Sequence, residues 1–217
     1  MDISYLGHSS FRLRGRNTTL VTDPFDPKMV GLKYSGVSAD IVTISHEHAD
    51  HNQAGLVKDL HKVIQGPGEY EVMGVSIVGY PTFHDDKKGE ARGRNTVYMF
   101  EMDELRIVHL GDLGHKLSDE LLEEIGDVDI LMIPVGGFYT ISSAVAAEIV
   151  QVIEPKITLP MHYKTQGVSP ELAEKLTGVE QFLSDVGLPT ERLEKLSIKK
   201  SDLGEELKVI VLERRQG

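Results

Sequence analysis

Apolar and polar positions alternate in short runs through the front half of the chain, broken by glycine, proline and charge. That period of two predicts strands over 2–6, 10–14, 18–22, 41–45, 75–83, 97–102 and 105–110. One short helix is predicted there, near 52–60. In the back half the pattern becomes an alternation of helix and strand. Ser118 can cap a helix that places Leu121, Leu122 and Ile125 on one face and stops at Gly126, ahead of a buried strand at 129–133. Val145, Ala146, Ile149, Val150 and Ile153 recur at helical spacing over 143–153 and lead into a strand at 157–159. Ser169 and Pro170 start a further helix that Gly178 stops, and Val179, Phe182, Leu183 and Val186 mark another before Gly187. The last strand is predicted at 207–212. Many strands beside helices with one apolar face each predict an α+β architecture, sheets stacked together with helices on their outer faces. No linker, composition shift or fixed-period repeat divides the chain, so a single domain, 1–217, is expected.

Composition narrows the function. With 40% hydrophobic and 26% charged residues in 217, the chain can bury a sizeable core without disulfides or a structural metal, which leaves any metal site free for chemistry. A formal charge of −11 repels phosphate backbones and anionic membranes, so a small-molecule substrate is the expected partner, with no nucleic acid and no membrane. The absence of cysteine excludes disulfides, thiolate nucleophiles and Cys-ligated metals, so a metal would be held by nitrogen and oxygen. The N-terminus opens on an acidic residue and reaches several charges before any sustained apolar stretch, and no run approaches transmembrane length. A cytoplasmic location is therefore expected.

The segment HEHADH, which follows the apolar strand at 41–45, places His46, His48, Asp50 and His51 within six residues. In a locally extended stretch His46 and His48 project to one side, and a turn after them brings Asp50 and His51 toward a second point. That spacing suits two metals better than one. No short segment can surround a divalent ion, so distant segments must complete each shell. His84, Asp112 and His162 stand where strands give way to loops, and they are the candidates.

HEHADH with His84, with Asp112 in VHLGDLGH and with His162 in PMHY resembles the metallo-β-lactamase superfamily along nearly the whole chain. YLGHSSF, TDPF, FHDDKKGEARGRNT and PVGGFYT add a resemblance to its small metal-dependent hydrolases, those similar to ascorbate-phosphate lactonases. The resemblance implies a four-layer αββα sandwich with the metal site at one edge of the two sheets. It implies that His46, His48 and His84 hold one metal, that Asp50, His51 and His162 hold the other, and that Asp112 bridges them. Asp23, in TDPF, matches an aspartate that supports the ligand histidines. His48 stands where oxygen-reducing relatives carry glutamate, which favours hydrolysis.

The expected activity is hydrolysis of a small anionic ester, a phosphoester or a lactone, by a binuclear centre whose bridging hydroxide attacks and whose Asp50 orients it. Zinc is the expected metal, with manganese, iron or nickel also compatible with such donors. Two divalent ions against Asp50, Asp112 and one hydroxide leave a net positive charge, which favours an anionic transition state. For protonating the leaving group His8 is the leading candidate, ahead of His115 and Tyr139. His109 reads as a buried, satisfied histidine and His61 as surface. Arg92, Arg94, Lys87 and Lys88 follow His84 and could attract a substrate anion, although Asp85, Asp86 and Glu90 are interleaved with them. The alternative from another class is a catalytically silent metal-binding sensor or scaffold of the same fold.

Overall fold

The structure, a computed structural model, describes residues 1–215. One sheet contains β1 (Asp2–Gly7), β2 (Ser10–Arg14), β3 (Thr19–Thr22), β4 (Ile41–Ile44), β5 (Lys62–Gln65) and β13 (Leu196–Ser197), ordered β13-β1-β2-β3-β4-β5. The other contains β6 (Gly68–Val72), β7 (Val75–Phe83), β8 (Arg94–Met102), β9 (Leu105–His109), β10 (Ile130–Pro134), β11 (Ile157–Met161), β12 (Thr190–Leu193) and β14 (Lys208–Leu212). Its order is β12-β14-β11-β10-β9-β8-β7-β6. Strands β6 to β9 form an antiparallel meander, whereas β9, β10, β11 and β14 run parallel. Parallel neighbours need crossovers, and the helices supply them. Helix α1 (Pro27–Val30) lies between β3 and β4, α2 (Asp119–Ile125) between β9 and β10, and α3 (Ser143–Ile153) between β10 and β11. Helices α4 (Pro170–Lys175) and α5 (Val179–Val186) follow β11.

Side-chain alternation sets the layers. Leu20 of β3 and Ile41 of β4 face the inter-sheet core with Tyr5, Phe11, Ile77 and Phe100. Their neighbours Val21 and Val42 turn the other way, into a second cluster with Phe25, Val30, Leu172 and Leu176, where α1 and α4 cover the first sheet. Burial on both faces is why Ile41–Ile44 carries three apolar residues in four with no polar alternation. On the far side α3 and α5 contribute Ala146, Ile149, Val150, Phe182 and Val186. Each fully buried side chain of the size of Phe182 contributes about 1.5–3 kcal/mol relative to exposure. The architecture is the expected αββα sandwich.

The serine caps Ser118 and Ser169 are where the sequence places them, accepting from the amides of Leu121 and Leu172, and Ser142 adds a third by accepting from Val145 N. Several elements differ from expectation. The helix near 52–60 is a single 3₁₀ turn, Ala54–Leu56, because Gln53 N and Lys58 N donate to Pro24 O and Val37 O instead of continuing a helix. Helix α4 ends at Lys175 rather than running to Gly178, since Thr177 N is taken by Gly136 O. Strands β5 and β6 are edge strands with mostly exposed or half-exposed side chains, so they lack the apolar alternation that marks a buried strand. Strands β12 and β13 were equally unmarked. No helix among the described residues is long and apolar enough to cross a membrane.

Candidate metal centre

The candidate residues gather where strands of both sheets end. His8 follows β1, Asp23 follows β3, His46 lies just past β4, His84 follows β7, Asp112 lies just past β9, and His162 follows β11. Three of them turn the chain back through left-handed backbone: His8 at φ 55°, Asp23 at φ 39° and His162 at φ 52°. Such conformations cost non-glycine residues on the order of 1–3 kcal/mol each and persist where surrounding bonds hold them. Here His162 N and the Tyr5 hydroxyl both donate to His8 O at 2.8 Å, and Asp23 N donates to Thr43 O at 2.9 Å.

All seven expected ligands converge. Donor atoms of His46, His48 and His84 lie within 4.8 Å of one another, as do those of Asp50, His51, His162 and also His8. Between the two groups stands Asp112. Its Oδ2 is 3.2 Å from Nε2 of His84 and also 3.2 Å from Nε2 of His51 and of His162. The Nε2 of His46 lies 4.0 Å away. Six of the seven are buried and His48 is exposed, so the crevice opens on His48.

Orientation comes from residues behind the ligands. Asp23 accepts from Ser45 N at 2.8 Å, from Ser45 Oγ at 2.5 Å and from His51 Nδ1 at 2.8 Å. With its hydroxyl proton given to Asp23, Ser45 Oγ accepts from His46 Nδ1 at 2.9 Å. Both imidazoles therefore commit their Nδ1 protons outward. Their Nε2 atoms, and Oδ1 of Asp50, are buried with no hydrogen-bond partner among the described residues. Buried polar atoms are normally satisfied, and three bare donor atoms aimed into one crevice beside a carboxylate fit divalent cations. Sequence reasoning missed Ser45 and Asn95. Asn95 Oδ1 accepts from Asp112 N at 2.9 Å, while its amide donates to Thr82 Oγ1 and Leu110 O, which fixes the loop carrying Asp112. Only its position beside a cluster of charged loop residues could have hinted at it.

The electrostatics suit cation binding. Burial would raise the pKa of Asp112, but His162 and His51 outweigh it and hold the carboxyl well below the usual range. Burial, reinforced by His51, pushes His46 well below the ordinary imidazole range, so it is a neutral donor at pH 7. Burial and the His162 imidazole push His8 down to about 4. His8 Nε2 lies 3.1 Å from Asp50 Oδ2, and since a carboxylate only accepts, that nitrogen carries the proton.

The remaining candidates separate. His109 is buried, donating from Nε2 to Ser9 O at 2.8 Å and accepting Gly111 N at 3.2 Å on Nδ1; His61 is exposed. His115 pins the end of β7, accepting Phe83 N at 3.1 Å and donating to Lys116 O. Tyr139 stands beside the centre, its ring centroid 6.4 Å from that of His162. In the charged loop after His84, Asp85 does not oppose the cations as its sequence position suggests. Its carboxylate turns inward and accepts four backbone amides, those of Lys87, Gly89, Ala91 and Arg92, at 2.7–3.0 Å. Burial would raise its pKa, but those amides, Arg92 first, outweigh it and pull it down to about 2. This support is therefore present above about pH 4 and fades as the pH falls toward 2. Asp85→Ala is expected to speed hydrogen exchange of these four amides by about tenfold or more at neutral pH, while β7 and β8 stay protected. Unchanged exchange would mean the carboxylate does not organise the loop.

Comparison with known proteins bears on the family and the fold. The family model for the beta-lactamase superfamily domain matches residues 2–162. A UPF0173 metal-dependent hydrolase of Thermococcus onnurineus is 30% identical, over 82% of this chain and 92% of the relative. Another, from Pyrococcus horikoshii, is 28% identical over the same shares. The crystal structure of a Thermotoga maritima protein of the metallo-beta-lactamase superfamily matches with a TM-score of 0.81 and 40% identity, covering 98% of each chain.

Proposed function

The chain belongs to the beta-lactamase superfamily, and from that premise we propose that it is a binuclear metal-dependent hydrolase of a small ester. The observation that carries the reading is the position of Asp112 Oδ2, equally close at 3.2 Å to Nε2 of His84 in one donor group and of His51 and His162 in the other. A carboxylate oxygen so placed suits a bridge between two cations and has no such use beside one. His46, His48 and His84 would hold the first, and Asp50, His51 and His162 the second. Zinc suits these nitrogen and oxygen donors, as manganese, iron or nickel also would. Bound there, the metals would polarise the ester and lower the pKa of water to about 7.

The chain's own residues divide the remaining work. Asp50 uses Oδ2 to accept from His8, which leaves the bare Oδ1 facing the crevice, where it would help hold the second cation and orient the attacking water by accepting its hydrogen bond. His8 holds a proton at Nε2 against that carboxylate and is the group through which it can reach the leaving oxygen. Burial of six of the seven ligands restricts bulk water to the His48 side.

Metal analysis of the purified protein, with turnover of phosphodiesters, phosphomonoesters, lactones and thioesters, tests the reading. Two equivalents of metal and hydrolysis of at least one class, lost on chelation and restored by metal, are expected. Metal-replete protein inert on every class would favour the sensor or scaffold instead. Asp50→Asn is expected to lower kcat by about 10²-fold or more, as expected for loss of a general base. Full turnover with both metals retained would remove that role from Asp50.

A further inference from the structure

We propose that Arg92 grips an anionic group of the substrate while the neighbouring Phe138 ring packs against its apolar part, so that the hydrolase proposed above selects esters that are both anionic and apolar. The proposal rests on that hydrolase reading and adds the residues that choose the substrate.

Arg92 is placed by the turn around Asp85. Its backbone N donates to Asp85 Oδ2 at 2.7 Å, which fixes the point from which the side chain leaves. From there the guanidinium carbon lies 4.8 Å from the ring centroid of Tyr139 and 5.9 Å from that of Phe138, with Nη2 3.5 Å from Phe138 O. Tyr139 is the ring that flanks His162, and the Arg92 loop begins at His84. One aromatic ring thus separates this guanidinium from the centre, and its loop is continuous with another ligand.

Charge balance distinguishes Arg92 from the other cations. Lys175 also reaches Tyr139 and Phe138, but its ammonium is paired with Glu171 at 2.7 Å. No carboxylate among the described residues lies within 4.0 Å of the Arg92 guanidinium, and the carboxylate of Asp85, which anchors the turn, is occupied by amides. Arg94, the other arginine of this segment, opens β8 as an exposed residue. A guanidinium held over an aromatic face keeps its plane and offers its N–H edge, a geometry that matches a carboxylate or phosphate with two hydrogen bonds. Beside it Phe138 is 62% exposed at φ 52°, its ring 4.8 Å from Tyr139. An aromatic side chain held out in strained backbone at the mouth of a site is suited to cover an apolar portion of a ligand.

Two esters of equal chain length separate charge from size: p-nitrophenyl hydrogen adipate, which ends in a carboxylate, and p-nitrophenyl hexanoate, which does not. Arg92→Ala is expected to lower the ratio of kcat/KM for adipate over hexanoate about tenfold, with partial recovery in Arg92→Lys. Phe138→Ala is expected to lower kcat/KM for both about threefold and leave the ratio in place. A ratio unchanged in Arg92→Ala overturns the proposal. Calorimetric titration with phenylphosphonate, which cannot be hydrolysed, reads binding apart from turnover. About tenfold weaker binding by Arg92→Ala is expected, and equal binding, or none to the wild type at 10 mM or about that, rejects the assignment. If metal-replete protein turns over neither ester and none of the substrate classes above, yet phenylphosphonate still distinguishes Arg92→Ala, the hydrolase reading fails and the anion site stands.

Discussion

Asp112→Ala is expected to abolish turnover, lowering kcat by about 10⁴-fold or more, and to strip both cations rather than one. Among the described residues, the carboxylate is the one group whose oxygen lies 3.2 Å from imidazoles of both donor groups. In the proposed binuclear centre, removing it would take a donor from each cation at once and leave buried imidazoles facing one another without the negative charge that draws cations in. Asp112→Asn keeps the volume and the backbone hydrogen bond to Asn95 while losing the charge, so it reads the same effect if the alanine variant folds poorly. Metal content and kcat measured on both variants decide the matter. Two bound equivalents with near wild-type turnover would show that the carboxylate is not shared.

The second large effect is expected from a glycine that touches no substrate. A Cβ at Gly136 would lie 2.1 Å from His162 O and 2.9 Å from Tyr163 Cα, both backbone atoms. The segment cannot simply retreat, because Gly136 O accepts from Thr177 N at 3.0 Å and from Thr177 Oγ1 at 3.1 Å. Gly136→Ala is therefore expected at the upper end of overpacking costs, about 3 kcal/mol, which in a chain of this size lowers Tm by about 6–12 °C. The loss should reach metal binding through His162, weakening the group with Asp50 and His51 before the group with His46. Gly137 is the control: nothing lies within 4 Å of its Cβ position, so Gly137→Ala carries only the left-handed backbone penalty of about 1–2 kcal/mol. Equal melting temperatures for Gly136→Ala and wild type would show that this approach is not tight. Gly114 repeats the device at the other donor group, with a Cβ position 2.2 Å from Asp85 N and 2.3 Å from His84 C.

The strands with buried faces were legible because burial imposes a period of two, and 75–83 coincides with β7 from end to end. Helix α2 was legible because a serine cap and a glycine stop bracket it, and α3 because its apolar positions recur at helical spacing. Strands β5, β6, β12 and β13 were not, since an edge strand owes its existence to hydrogen bonds with one neighbour rather than to its own apolar pattern. The candidate ligands were found because HEHADH concentrates donors locally and because the others stand at strand ends. Asp85 was misread as a charge opposing the neighbouring cations. Its role depends on a turn that brings amides up to seven residues away onto one carboxylate.

What the chain determines by itself is its inventory: donors limited to nitrogen and oxygen, strands and capped helices whose apolar faces must stack, and a dense run of histidines after a buried strand. What only the tertiary structure decided is direction. Which imidazole nitrogen faces the crevice depends on Asp23 and Ser45, how the backbone of Asp112 is held depends on Asn95, and which arginine lies beside Tyr139 depends on Asp85. His109 Nε2 meets Ser9 O across 100 residues of sequence, a distance over which no local pattern carries information. Local composition records what a residue can bond. The packing of two sheets selects the partner it meets.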